Sequence, residues 1–245
     1  MIPIKIKNRT SLIGDFLSPI GKLTENTVVK VRKNELFSLS TSNDGTLIVS
    51  CTMSQENKID ETLYLNIPDI NKLIKVLSCI PDDDIELLFD NNNIRYKSNN
   101  VGFKYHLLED GIIEPPAVDL NKIKNIDFKF KFTVNSNTIN QLVKGSTFTT
   151  DTNKIYFKTE NGCVFADLTD KQKHNVDSYS QQITDSYKGE ELAKELALSF
   201  ETIRIISSIH FNEMHVNVNP DLNVFLFQII TNSTTIVVVS SGYVG

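Results

Sequence analysis

Asp82, Asp83 and Asp84, three consecutive carboxylates, follow a segment that carries Lys72 and Lys75. Neighbouring carboxylates could hold a magnesium ion for phosphoryl chemistry, because oxygen ligands suit a hard cation. Carboxylates that adjoin on a turn more often sit in solvent, where they give a surface a negative rim. His106, His174, His210 and His215 are scattered, and no carboxylate or cysteine completes a ligand set around His210 and His215. Cys51, Cys79 and Cys163 are odd in number, widely spaced and free of any CxxC pattern, which suggests neither a disulfide framework nor zinc. A nucleophile elbow, a Walker loop and a GxGxxG turn are all absent. The expectation is a protein that is not an enzyme and needs no cofactor or metal.

The lysines pose the opposite question. The 245 residues carry 25 Lys and Arg against 30 Asp and Glu, a net charge of -5, so any attraction for a polyanion must be local. The N-terminal segment has no unbroken apolar core of a secretory signal, and apolar runs such as 236–239 are too short to span a bilayer. A soluble, cytosolic protein without a membrane partner is expected.

Four segments have helical spacing. In "NRTSLIGDFLSPIG", Leu12, Ile13, Phe16 and Leu17 fall in phase, Asn8 or Thr10 can cap the start, and Pro19-Ile20-Gly21 is expected to end a short helix. The second, opened by Pro68 and Asp69, places Ile70, Leu73, Ile74 and Leu77 on one face and stops before Pro81. The third, "NSNTINQLVKGSTF", aligns Ile139, Leu142 and Val143 behind an Asn or Ser cap, and the fourth, "SFETIRIISSIH", buries Phe200, Ile203 and Ile206 behind Ser199.

Between the helices lie alternating stretches with turn signals. Two hairpins are expected, one around Asn43-Asp44-Gly45 and one around Asn161-Gly162, and aligning Gly45 with Gly162 matches their strands. Helices two and four match as well, since each precedes an alternating strand, "DIELLF" or "EMHVNV", then an Asn-rich turn and a further strand. The order helix, hairpin, helix, hairpin therefore occurs twice. Pro115-Pro116 forbids a regular ladder and marks the join. The expected organisation is a first domain over 1–112, a crossover over 113–126 and a second domain over 127–245, each an α+β unit with an antiparallel sheet layer and two helices on one face.

At about 100° per residue, Lys72 and Lys75 point away from the apolar centre of the second helix. The third leaves Asn137, Gln141 and Lys144 outward, and the fourth exposes Arg204 and Ser208 beside Glu201, with Ile205 weakening the pattern. The first exposes Ser11, Asp15 and Ser18, with Lys7, Arg9 and Lys22 near its ends. Lysine, arginine and amide side chains spread in this way suit salt-dependent contact with phosphates that reads no base edges. No aromatic residues interleave with them, so a single-strand stacking platform is not indicated.

With this twofold order, the stretch "LYLNIPDINKLIKVLSCIPDDDIELLFDNNNIRYKSNNVGFKYHLLEDGIIEPPAV" and the later "LSFETIRIISSIHFNEMHVNVNPDLNVFLFQI", the chain resembles the sliding-clamp DNA polymerase processivity factors of T-even-type bacteriophages and their marine relatives. The resemblance covers essentially the whole chain. It implies two clamp-type domains, a homotrimeric ring with sheets outside and helices lining a hole, and double-stranded DNA bound without sequence preference. The implied partners are the replicative DNA polymerase and a clamp loader, with a further role in phage late transcription and a place in the cytoplasm of the infected bacterial host. The DNA-facing residues would be Lys7, Arg9, Lys72, Lys75, Asn137, Gln141, Lys144 and Arg204, with Asp15 departing from a cationic wall.

The resemblance further implies closure by edge-strand pairing, with Gly102, Phe103 and Tyr105 on one side and Val176 and Tyr179 on the other. It places partner peptides in an apolar pocket for which Ile112, Ile113, Val118, Tyr243 and Val244 are the candidates. The alternative is a non-enzymatic β-rich structural or protein-interaction module of a virus.

Overall fold

The computed structural model describes residues 1–90, 92–149, 152–173 and 175–243. Two compact units make up the chain, one of Met1–Asn43, Ile48–Ala117 and Ile230–Ile236, the other of Asp44–Leu47, Val118–Ile229 and the stretch from Val237 on.

The first unit opens with β1 (Ile2–Ile6) and a helix, α1, built of three consecutive segments, Arg9–Ser11, Leu12–Leu17 and Ser18–Leu23. There follow β2 (Thr27–Arg32), β3 (Glu35–Thr41), β4 (Leu47–Ser54), β5 (Leu63–Ile67), α2 (Ile70–Ser78), β6 (Ile85–Asp90), β7 (Asn93–Lys97) and β8 (Gly102–His106). Strand order is β1-β6-β7-β8 in one run and β5-β2-β3-β4 in the other. After a short helix α3 (Leu120–Lys124), the second unit runs β9 (Phe130–Asn135), α4 (Ser136–Gly145), β10 (Lys154–Glu160), β11 (Cys163–Leu168) and β12 (Tyr179–Thr184). It continues with β13 (Leu196–Ser199), α5 (Phe200–Ser207), β14 (Glu213–Asn219), β15 (Val224–Ile230) and β16 (Thr234–Ser241). Its strand runs are β12-β11-β10-β13 and β16-β15-β14-β9.

Each unit thus contains the order β-α-β-β-β twice. The halves are interlocked by exchange, because the first strand of each half pairs with the second strand of the other. β1 pairs with β6 and β5 with β2, and likewise β9 pairs with β14 and β13 with β10, all antiparallel. Neither half can complete its sheet alone, so each unit must fold as a whole.

This pairing corrects the expected hairpin alignment. The Asn161-Gly162 turn joins β10 and β11, the second and third strands of their half, with Glu160 opposite Cys163 and both turn residues at positive φ, 52° and 78°. Its counterpart is Lys33-Asn34 between β2 and β3, where Arg32 faces Glu35. The Gly45 turn joins β3 and β4, the third and fourth strands. Lys33-Asn34 lacks the glycine that announces a tight hairpin, so the sequence pattern shifted by one strand.

Helix α1 also departs from expectation. Asn8 caps it by accepting from the Ser11 amide at 2.7 Å, but the helix does not stop at Pro19. Its middle segment, Leu12–Leu17, is a π turn, and Pro19 sits at the start of the third segment. A proline lacks the amide that would donate to the preceding turn, and widening that turn accommodates the loss. A π turn also takes more residues per revolution, so the residues along it lag behind the α-helical phase. Asp15, expected outside, is 8 % exposed.

In the first unit the core holds Phe16, Ile20, Ile70 and Leu77, all at 1 % exposure or less. A Cβ at Gly21 would lie 3.1 Å from Ile70 Cγ2, so glycine lets α1 and α2 approach. Phe130, Phe200, Phe225 and Phe227 fill the second core, with Phe157 and Phe225 rings 5.4 Å apart. Each such side chain contributes about 1.5–3 kcal/mol of burial.

Candidate nucleic-acid interface

Helix α2 is fixed from both ends, and the fixing decides which of its charges remain free. Asp69 caps its start by accepting from the Lys72 amide at 2.8 Å. Burial of Ile70, Leu73 and Leu77 turns Lys72 and Lys75 outward. Both lysines are exposed, and among the described residues neither side chain has an ion-pair or hydrogen-bond partner.

At the other end, Arg9 donates from Nε to the Asp82 carbonyl at 2.9 Å and from Nη1 to the Leu77 carbonyl at 3.3 Å. A cation on the last carbonyls of a helix satisfies acceptors that have no intrahelical donor and complements the helix dipole. Arg9 is therefore committed to α2. The aspartates answer in kind: Asp83 Oδ1 accepts from the Thr10 amide at 2.7 Å and its hydroxyl at 2.8 Å, and the Asp83 carbonyl accepts from the Arg9 amide at 2.8 Å. These bonds to the anion, first of all the Thr10 amide, hold the Asp83 carboxyl below the ordinary aspartate range. The carboxylate turn is thus a mutual cap that joins the start of α1 to the end of α2. Lys7 is exposed just before it.

In the second unit, Asn135 caps α4 by accepting from the Thr138 amide at 2.9 Å, and Ile139 and Leu142 point inward. Asn137 and Lys144 are exposed and free among the described residues. Gln141 is not: its Oε1 accepts from Gln181 Nε2 at 2.9 Å, and the same nitrogen donates to the Thr138 carbonyl at 3.3 Å. On α5, Ser199 caps the start by accepting from the Glu201 amide at 3.3 Å. Ile205 is fully buried and belongs to the core. Arg204 pairs with Glu201 at 3.2 Å and lies 5.3 Å from the Phe200 ring, which spends much of its charge locally. Of the eight cationic and amide residues assigned to this face, the side chains of Lys7, Lys72, Lys75, Asn137 and Lys144 have no partner among the described residues.

The residues assigned to subunit contact lie on two strand edges. Gly102, Phe103 and Tyr105 belong to β8, the last strand of its run, and Tyr179 opens β12, the last strand of its own. Phe103 stacks on Tyr96 at 5.9 Å. Tyr105 is buried, and its hydroxyl bonds to Asp69 rather than facing outward. Val176 is half-buried in the loop before β12, and a Cβ at Gly145 would collide with the Tyr179 ring at 2.4 Å. Helix α4 therefore needs glycine where it meets this edge.

For the partner pocket, Ile112 and Ile113 fall in the first unit, and Val118 and Tyr243 in the second. Ile113 lines a cleft of about 90 Å³ with Pro115 and Pro116, above Thr27 and Ser40, whose hydroxyls lie 2.9 Å apart. Ile112 is 59 % exposed. Val118 is half-buried. Tyr243 donates its amide to the Ala197 carbonyl at 3.0 Å and carries Lys154 Nζ 4.7 Å from its ring. Val244 lies outside the described residues.

Two units of interlocked β-α-β-β-β halves make up the chain, and this is the fold of solved PCNA clamps. A structure of the PCNA2-PCNA3 complex from Sulfolobus tokodaii matches at TM-score 0.75 with 11% identity, covering 98% of this chain and 99% of that one. The A. fulgidus PCNA bound to the C-terminal region of FEN-1 matches at 0.77 with 12% identity, over 100% and 99% of the two chains. PCNA from Thermococcus kodakaraensis matches at 0.76 with 11% identity, over 99% and 100%. No family model and no curated protein sequence matches the chain. At these identities the likeness is one of fold.

Proposed function

We propose that the protein is a DNA sliding clamp, a non-enzymatic ring that encircles duplex DNA and tethers the replicative polymerase. The observation that carries this reading is the clamp fold over the full chain, together with Lys72, Lys75 and Lys144 exposed on capped helices, without an ion-pair partner among the described residues, in a protein of net charge -5. Lysines on helices supply mobile point charges for phosphates, giving weak, sequence-neutral contact that permits sliding. Topology, not affinity, then keeps the ring on DNA.

The ring is a homotrimer in this reading, closed where β8 of one copy adds to β12 of the next. Both are terminal strands of their runs, with backbone groups available for pairing between chains. A clamp loader would open the ring, and the chain's resemblance to phage clamps extends the proposal to late transcription in the cytoplasm of an infected bacterium. Loaded onto a nicked circular duplex, the protein should stay bound through a salt wash and be released when the circle is linearised. Equal retention on circular and linear DNA would contradict encirclement.

A further inference from the structure

Phe148 lies just past the end of α4, where its amide donates to the Gly145 carbonyl at 3.0 Å, and it is 61 % exposed. A single apolar side chain on a surface needs no explanation, but the surroundings of this one give it a direction. Tyr179 of β12 packs on the same Gly145, where a Cβ would lie 2.4 Å from its ring. Alternate residues of a strand share a face, so Tyr179 lies with Gln181, which is bonded to α4. Phe148 and Tyr179 thus stand together on the helix-bearing side of β12, the last strand of its run. With Val176 and Asp177, Phe148 also lines a cavity of about 170 Å³.

The edge at β8 has matching chemistry. Phe103 shares a face with Tyr105, whose hydroxyl is tied to Asp69 at the start of α2, so Phe103 also lies on the helix-bearing side. It is half-buried and stacked on Tyr96. A cleft of about 690 Å³ beside it is lined further by Val101, Lys97 and Lys104. The two edges are opposite in charge. None of the described residues lining the β8 cleft is a carboxylate, whereas those of the β12 cavity include Asp170 and Asp177 and no lysine or arginine. Arg95 of the cleft pairs with Asp90, and Asp170 of the cavity pairs with Lys173, each at 3.2 Å. Lys97, Lys104 and Asp177 are exposed, without an ion-pair partner among the described residues.

We propose that Phe148 is the apolar anchor by which one copy of this chain docks on the β8 edge of a second copy, with Asp177 facing Lys97 and Lys104. When β8 adds to β12, one sheet continues across two chains, and its helix-bearing side brings Phe148 and Tyr179 next to Phe103. The occupant is a second copy because one chain carries both halves of the contact, the apolar ring and its aromatic seat, the anion and its cations. The two surfaces differ, so the contact is head-to-tail and repeats until a ring closes. Aromatic anchors carry much of the energy of an interface, and opposite charges speed docking and fix its register. The inference rests on the ring reading and adds to it the side chains that hold the ring shut.

The test is sedimentation of the full chain over a dilution series, with circular dichroism to confirm that each variant is folded. Phe148→Ala should raise the concentration at which the assembly half-dissociates by about tenfold or more. Leu222→Ala, at a position 60 % exposed in the turn between β14 and β15, should leave that concentration unchanged. Asp177→Lys should weaken association, and Lys104→Glu in the same chain should recover part of the loss. An associating parent protein with an unmoved midpoint in folded Phe148→Ala, or with an equal loss in Leu222→Ala, overturns the inference and leaves the ring standing. A parent protein that stays monomeric at every concentration overturns both.

Discussion

The Tyr105 hydroxyl donates to the Asp69 carbonyl at 2.6 Å and accepts from the Asp69 amide at 3.1 Å, so strand β8 grips the capping residue of helix α2. Tyr105 is 5 % exposed, and burial raises its pKa, which keeps the donor proton in place. The same logic recurs in the second unit, where Gln181 of β12 holds Gln141 and the Thr138 carbonyl of α4. In both units the last strand of a run is tied to a helix that carries free lysine. Tyr105→Phe removes both bonds and leaves the Asp69 amide without a partner, while the Asp69 carbonyl keeps the Leu73 amide at 3.1 Å. It should cost about 1–3 kcal/mol, measured as a lower urea midpoint with an unchanged slope. A midpoint equal to that of the parent protein would show that the grip contributes nothing.

Lys72, Lys75 and Lys144 are exposed and have no partner among the described residues, so replacing all three by alanine should leave the melting temperature nearly unchanged. Loading onto DNA and processive synthesis should fall most at low salt, and the gap to the parent should narrow as salt is raised, because fewer phosphate contacts give a shallower salt dependence. Primer extension across a salt series reads this, and synthesis that matches the parent protein at every salt concentration removes the lysines from the DNA wall.

Arg9 should behave in the opposite way. Because its guanidinium serves the carbonyls of Leu77 and Asp82, Arg9→Ala should lower stability by about 1–2 kcal/mol. Thermal unfolding of Arg9→Ala beside Lys75→Ala separates the roles. A variant of Arg9 as stable as one of Lys75 would return Arg9 to the pool of free cations.

Asp83 gives the pH dependence a sign. Its carboxyl titrates below the ordinary value because Thr10 donates two hydrogen bonds to the anion. A depressed folded pKa means the contribution is complete above the unfolded pKa and fades as pH falls through the folded one. Asp83→Asn should therefore be less stable than the parent near pH 6, and the gap should close well below about pH 4. Urea midpoints at both pH values check this, and a gap independent of pH would assign the carboxylate no charge-dependent role.

What was legible in the sequence was whatever a local rule controls. Asp69, Asn135 and Ser199 cap their helices as their residue types suggest, and Asn161-Gly162 makes the tight turn its composition demands. Long-range partnership was not legible. Nothing in the order of residues says that Arg9 will reach the end of a helix more than sixty positions on, or that Gln181 will occupy Gln141. The π turn in α1 escaped because periodicity assumes a constant rise and rotation, and it moved Asp15 from the surface to the interior. The isolated bridge between Lys131 and Lys188 escaped for a similar reason, since pairing formed by a loop leaves no periodic trace.

The mass of the protein in solution tests the central claim most directly. Light scattering after size exclusion at the highest attainable concentration should give three copies of 27.7 kDa, about 83 kDa, with dissociation on dilution. Lys72, Lys75 and Lys144 lie on exposed helix faces and not on β8 or β12, so the same measurement on the lysine variant should give the same mass. A mass of 27.7 kDa at every concentration would contradict the ring.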